Sequence, residues 1–236
     1  MKKLFLVLAL CAGLFAQTVI KVSSSATFPP FQYMENGEFV GFEVDLTQEI
    51  AKRLNLKVEW KPMNFDGIIA ALTTGKLDLA VAGLSVTDER KKSVDFSLPY
   101  YDSTNLFIKK AGDESIKSIA DLAGKRLGYQ LGSVQEPAAK AVKGAIVSSY
   151  EENINLVYAM VSGKVDAIVI DNVIGFAHIK KQPKIEAFAE EKLEGSEGMA
   201  FALPKNSPYL KDFNRVMKEL QSEGFIDSLY AKYGLK

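Results

Sequence analysis

Cysteine is almost absent from this chain. Its one example, Cys11, falls within the first sixteen residues, so the rest offers no thiol for a disulfide, a metal or a nucleophile. Histidine is equally scarce, with His178 alone. No His/Cys/carboxylate constellation suggests a metal site, and no Ser–His–Asp set suggests acyl transfer. A surplus of one charge is missing too, since 29 Lys and Arg face 29 Asp and Glu with no basic stripe. That balance argues against nucleic acid and anionic membranes as partners. No apolar run beyond the N-terminal one approaches the length of a transmembrane helix.

What is present begins with a leader. Lys2 and Lys3 precede an apolar stretch from Leu4 to Leu10, and small residues follow at Ala12, Gly13 and Ala16. This is the grammar of a secretory signal peptide over residues 1–16, with cleavage expected after Ala16 although Leu14 is a poor fit three positions from the cut. A lipid anchor at Cys11 needs a small residue before it, where Leu10 stands. The expectation is a soluble periplasmic chain of 220 residues, a monomer without cysteine. Removing Lys2 and Lys3 leaves 27 basic against 29 acidic residues, a net charge of −2.

Beyond the leader, strand and helix patterns alternate. Strands are predicted over 19–23, 56–60, 77–82, 105–109, 125–129, 145–149, 165–170 and 199–203. Helical spacing covers 43–54, 65–72, 135–142, 154–161 and two segments within 208–233. Strands joined by helical crossovers predict largely parallel α/β sheets. The segment Ile68–Ala82 also resembles Leu156–Ile170. Each is an apolar helix, a glycine where the helix should stop (Gly75, Gly163), and a buried strand containing an aspartate (Asp78, Asp166). Two copies about ninety residues apart predict two similar lobes. Ligand groups gather beyond the carboxyl ends of strands in open α/β sheets. Those ends are Ala82-Gly83-Leu84-Ser85 and Asp171-Asn172.

Several residues there suit a small charged ligand. Thr87 is a good N-cap for a short helix that brings Arg90 back toward Ser85. A guanidinium there can hold a carboxylate through two parallel hydrogen bonds, although a solvated surface arginine fits the pattern equally. Asp171 can meet an ammonium group or simply cap the helix from Asn172. Phe28 and Phe65 can wall a pocket, whereas Phe31 reads as core. The loop Leu131-Gly132-Ser133-Val134-Gln135 presents backbone N–H groups suited to an anion.

The motifs Phe28-Pro29-Pro30-Phe31, Gly41-Phe42-Glu43-Val44-Asp45-Leu46, Ala82 through Arg90, and Asp95-Phe96-Ser97-Leu98-Pro99-Tyr100-Tyr101 occur in that order across the mature chain. Together they resemble the family-3 extracellular solute-binding proteins of ABC importers, which bind polar amino acids. The resemblance implies a type II periplasmic-binding-protein fold, α/β, with two lobes and two hinge crossings. Lobe 1 would span 17–107 and 201–236, lobe 2 would span 108–200, and hinges would fall near 106–110 and 198–203. It further implies that Arg90 holds the ligand α-carboxylate with Ser85 and the Ser133 region. Asp171 and the Gly83 carbonyl would receive the α-ammonium, and Phe28 and Phe65 would flank the side chain. The candidate ligand-binding set is Ser25, Phe28, Phe65, Ala82, Gly83, Ser85, Arg90, Gln130, Ser133, Val134 and Asp171. No catalytic residue, metal or cofactor is expected.

Departures from the family bear on specificity. Ser25 stands where many binders of basic or amide side chains carry an acid, Gln130 is neutral, and Ile170 replaces a polar residue of the glutamine binders. A neutral polar ligand such as glutamine is therefore expected ahead of a basic one such as arginine, for delivery to an ABC transporter permease. The alternative is a periplasmic dehydratase of prephenate- or arogenate-like acids on the same fold, which needs a general acid near a leaving hydroxyl. A receptor's sensing module is disfavoured because no transmembrane or signalling segment occurs up to Lys236.

Overall fold

The computed structural model describes residues 17–235. The predicted leader and Cys11 lie outside the described residues.

The chain opens with strand β1 (Thr18–Ser24) and three short antiparallel strands, β2 (Thr27–Phe28), β3 (Gln32–Glu35) and β4 (Glu38–Val40). Helix α1 (Phe42–Arg53) follows, burying Phe42, Val44, Leu46, Ile50 and Ala51 on one face. Next come β5 (Leu56–Pro62), a 3-10 turn over Phe65–Gly67, α2 (Ile68–Thr73), β6 (Leu79–Ala80), β7 (Ser85–Thr87), α3 (Asp88–Lys91) and β8 (Val94–Phe96). The second series is β9 (Thr104–Lys110), β10 (Arg126–Gln130), α4 (Gln135–Ala141), β11 (Ile146–Tyr150), α5 (Asn153–Ser162), β12 (Ala167–Asp171), α6 (Asn172–Lys181) and β13 (Ile185–Lys192). The chain then returns through β14 (Ser196–Met199) and β15 (Ala202–Pro204) to α7 (Leu210–Ser222) and α8 (Phe225–Tyr233).

Two five-stranded sheets result, ordered β5-β1-β6-β15-β8 and β11-β10-β12-β9-β13. They follow one plan. The second strand of each order, β1 or β10, pairs in parallel with both neighbours, whereas β15 and β9 pair antiparallel with theirs. The sheets are thus half antiparallel rather than mostly parallel. Helical crossovers return the chain in the same direction, but β9 and β15 are the strands by which it arrives from the other lobe.

The internal similarity is a shared device. Lys76 and Lys164 each donate a backbone bond to the carbonyl five residues back, Ala71 and Ala159, around glycines at φ 70° and 77°. Both helices therefore stop in a left-handed turn that costs a residue with a Cβ more than glycine. Asp78 Oδ2 then accepts the Lys21 N–H at 2.8 Å, and Asp166 Oδ2 accepts the Arg126 N–H at 2.8 Å. Each aspartate pins the start of its own strand to the neighbouring one, at the middle of β1 and at the first residue of β10. They are structural anchors at the opposite end from the cleft.

Three details differ from the sequence reading. Strand β9 lies whole in the second sheet, with Lys109 opposite Ala167, so the first crossing precedes Thr104 instead of falling within 106–110. The segment 199–203 is two strands: β14 pairs with β7 of the first lobe, and β15 joins the first sheet. Along β12, Ala167 and Val169 pack on one face while Ile168 and Ile170 pack on the other. Ile170 therefore lies in the core against Gly175 of α6 and does not face the cleft.

Candidate functional site

A small cavity lies between the lobes, at the carboxyl ends of β6, β10 and β12. The first lobe contributes Phe28, Phe65, Ala82, Gly83, Ser85 and Arg90 to its wall. Gln130, Ser133, Val134, Gln135 and Asp171 come from the second. Ten of the eleven residues picked from the sequence are thereby brought together. Ser25 is the exception: it is half-buried and is not among the residues of this wall. Gln135 lines the wall without having been picked, since a glutamine opening a helix reads as solvent-facing.

Arg90 is placed by its own helix. Thr87 Oγ1 accepts the Arg90 N–H at 3.2 Å, capping α3 so that the side chain folds back. Its guanidinium donates to the Ser85 carbonyl at 2.9 Å and, across the cleft, to the Gly132 carbonyl at 3.1 Å. The cation also lies 5.6 Å from the centre of the Phe65 ring. Burial lowers its pKa to about 10, so it stays charged at neutral pH. No carboxylate lies within 4 Å of it among the described residues. Two neutral carbonyls and a ring leave a desolvated cation short of its best partner.

Asp171 sits at the end of β12, 5% exposed. Its Oδ1 accepts the Val173 N–H at 3.0 Å, so it caps α6 while also lining the cavity. Burial raises its pKa to about 6 against the lowering effect of these hydrogen bonds. At neutral pH the cavity therefore carries one positive and one negative group, drawn from opposite lobes and not paired with each other.

Between them the wall is shaped by rings and amides. The Phe28 ring stacks on Phe31, 5.3 Å between centroids, and its edge occupies the space where a Cβ on Gly83 would stand, 2.6 Å away. Gly83 also has φ 60°, a conformation that costs a residue with a Cβ more than glycine. Gln130 is held at both ends: Asn153 Nδ2 donates to its Oε1 at 3.1 Å, and its Nε2 donates to the Glu151 carbonyl at 3.2 Å. Next in sequence to Phe65, Asn64 Nδ2 donates to Glu151 Oε2 across the lobes at 3.1 Å.

Four of the five N–H groups of the 131–135 loop have acceptors within the protein. The N–H groups of Leu131, Gly132, Ser133 and Gln135 donate to Tyr150 O, Glu136 Oε2, Gln130 O and Ser133 Oγ respectively. Of these acceptors only Glu136 belongs to the helix that follows, and Val134, whose N–H is not among these donors, lines the cavity beside Arg90.

Glu43 is the buried charge that sequence reasoning missed. It lies in the first turn of α1, 0% exposed, and its Oε1 accepts the Gly83 N–H at 2.9 Å and the Tyr100 O–H. Burial raises its pKa to about 7. Asp45, by contrast, ties α1 to the C-terminal helix through Lys232 at 2.6 Å and Tyr233 at 2.7 Å. His178 is a half-buried residue of α6 outside the cavity. Among the described residues no group of three His, Cys, Asp or Glu side chains is arranged to hold a metal ion. No described helix is long and apolar enough to cross a membrane.

Known proteins share this arrangement. The "Probable histidine-binding protein" of Campylobacter jejuni is 39% identical over 219 residues, covering 92% of this chain and 85% of its own. The "Arginine-binding extracellular protein ArtP" of Bacillus subtilis is 33% identical, covering 90% of this chain and 84% of its own. Among solved structures, an ancestral arginine-binding protein bound to arginine superposes with a TM-score of 0.86 at 41% identity, covering 92% of this chain and 98% of that one. The same description recurs for a structure bound to glutamine. The family model for bacterial extracellular solute-binding proteins, family 3, matches residues 20–236. With two α/β lobes of one plan closing on a charged cavity, the chain belongs to the bacterial extracellular solute-binding proteins of family 3.

Proposed function

We propose that this protein captures one free polar L-amino acid between its lobes and delivers it to the permease of an ABC importer. The observation that carries the reading is the pair Arg90 and Asp171: opposite charges from opposite lobes, both short of a charged partner, facing one small cavity. An amino-acid zwitterion supplies both partners at once. Arg90 takes the α-carboxylate through parallel hydrogen bonds, with Ser85 and Ser133 beside it. Asp171 takes the α-ammonium, while Phe28 and Phe65 flank the hydrocarbon part of the side chain. Because the ligand touches both lobes, it binds the closed arrangement better and shifts the population toward it. The hinge segments are 98–103 and 193–201, between the strands committed to each sheet. The cleft is delivered to the permease in its closed form, by a monomer in the periplasm whose leader is removed near Ala16.

A neutral side chain such as that of glutamine is supported by the wall itself. Asp171 is its only carboxylate, and the remaining polar groups include the amides of Gln130 and Gln135. A basic side chain such as that of arginine is the second reading, supported by the carboxylate of Glu151, whose backbone carbonyl accepts from the wall residue Gln130. The protein acts by binding and not by turnover. A thermal-shift screen of the twenty amino acids tests this, because a ligand of the native state alone raises its stability. If none raises the melting point and prephenate or arogenate is consumed, the dehydratase reading replaces this one.

A further inference from the structure

Phe65 walls the cavity, and the residues on either side of it touch the opposite lobe. Asn64 Nδ2 donates to Glu151 Oε2 at 3.1 Å. Asp66 lies against Gly132: a Cβ on that glycine would stand 3.3 Å from the Asp66 Cα and 3.4 Å from its Cβ. Gly132 borders both lobes and is held by each of its backbone groups. Its N–H donates to Glu136 Oε2 at 3.0 Å and fastens it to the second lobe. Its carbonyl accepts from Arg90 of the first lobe at 3.1 Å. Its bare Cα leaves room for Asp66, and φ 72° gives the backbone a turn that costs a residue with a Cβ more than glycine. Asn64, Asp66 and Arg90 approach from one lobe, Gly132 and Glu151 from the other. Contacts between lobes belong to the closed arrangement alone. A substitution that opposes them therefore lowers the fraction of protein able to close, and apparent affinity falls with that fraction.

We propose that Gly132 is a positioning residue for ligand capture, the bare seat on which Asp66 and the Arg90 guanidinium of the first lobe land as the lobes close. This role rests on the amino-acid reading of the cavity and adds to it the contact that sets how far the lobes approach. A glycine needed only for its backbone turn would accept asparagine, which tolerates positive φ. A glycine needed for the approach of Asp66 would not, because asparagine carries a Cβ.

The test uses two substitutions and one measurement on the wild type, with whichever of the twenty amino acids raises the melting point most as the probe, L-glutamine first and L-arginine second. Gly132→Ala and Gly132→Asn should each weaken its binding about 10-fold or more, since both press a Cβ against Asp66 in the closed arrangement. Recovery of the Asn variant to within about 3-fold of the wild type would reduce Gly132 to a turn residue and overturn the proposal, as would unchanged binding in both. If neither variant folds, proton contacts in the wild type decide. The nuclear Overhauser contact between the Gly132 α-protons and the Asp66 α- and β-protons should intensify on saturation with the probe, and a contact that is absent or indifferent to the probe overturns the assignment. The two failures are distinguishable. If none of the twenty amino acids stabilises the wild type, the functional reading falls; if one does and the Gly132 contact does not respond, that reading stands and the role of Gly132 falls.

Discussion

Replacing Arg90 by alanine separates affinity from stability in a way that few buried substitutions do. In the ligand-free protein the guanidinium is desolvated, and the fall of its pKa from 12.5 to about 10 corresponds to a penalty on the order of 3 kcal/mol before any allowance for its partial exposure. Against it stand the hydrogen bonds to Ser85 and Gly132 and the contact with Phe65, together worth about 2–4 kcal/mol. These nearly cancel. Arg90→Ala should therefore shift the melting temperature of the ligand-free protein by less than about 3 °C. Binding has no such offset. Truncating one member of a buried, hydrogen-bonded charge pair costs about 2–5 kcal/mol, which is a loss of roughly 30- to 5,000-fold in Kd. Calorimetric titration beside a melting curve gives both numbers. Retention of affinity within about 3-fold in a folded Arg90→Ala variant would refute the carboxylate assignment. A collapse of the ligand-free fold would refute the cancellation.

Asp171→Asn keeps an acceptor for the Val173 N–H but removes the charge facing the ammonium, so Kd should rise about 10-fold or more with helix α6 intact by circular dichroism. In the wild type, affinity should weaken as pH falls through about 6, where Asp171 becomes protonated, and the Asn variant should lack that step. Stability runs the other way. Glu43 has its pKa raised by burial from 4.5 to about 7, so its protonated form is favoured by folding; that contribution is full below about pH 4.5 and is lost as pH rises through 7. The change amounts to about 3 kcal/mol, and the melting temperature of Glu43→Gln relative to the wild type should rise between pH 5 and 8. A flat difference would contradict the burial of Glu43. Gly83→Ala forces a Cβ to within 2.6 Å of the Phe28 ring at φ 60°, and should lower stability by about 1–3 kcal/mol and weaken binding together.

The two-lobe plan was legible because each lobe repeats one αβ unit whose punctuation has a physical cause. Gly75 and Gly163 mark the left-handed helix stops, and the aspartates that follow start the buried strands. The membership of β9 was not legible, since Leu106, Phe107 and Ile108 are all buried and a run apolar on both faces carries no record of which sheet receives it. The same lack of alternation hid the facing of Ile170, whose neighbour Asp171 reaches the cleft while Ile170 does not. The strands β2 to β4 are too short, and too interrupted by Pro29 and Pro30, to show a period. In the cavity, the short helix capped by Thr87 could be read before the fold was known, because a cap acts within a few residues. Glu43 could not. A glutamate in the first turn of a helix reads as a partner of the helix dipole, and only the tertiary approach of Gly83, forty residues on, gives it another task.

The central claim is that the cavity holds both charged ends of one amino acid, and the most direct measurement alters those ends on the ligand. Titration of the wild type with the stabilising amino acid, its α-carboxamide and its N-acetyl derivative isolates each end in turn. The account expects the carboxamide to lose at least about 30-fold, and expects Arg90→Ala to add little to that loss because the two changes remove the same interaction. Acetylation should likewise abolish the benefit of Asp171. Equal binding of the free amino acid and its carboxamide would contradict the account.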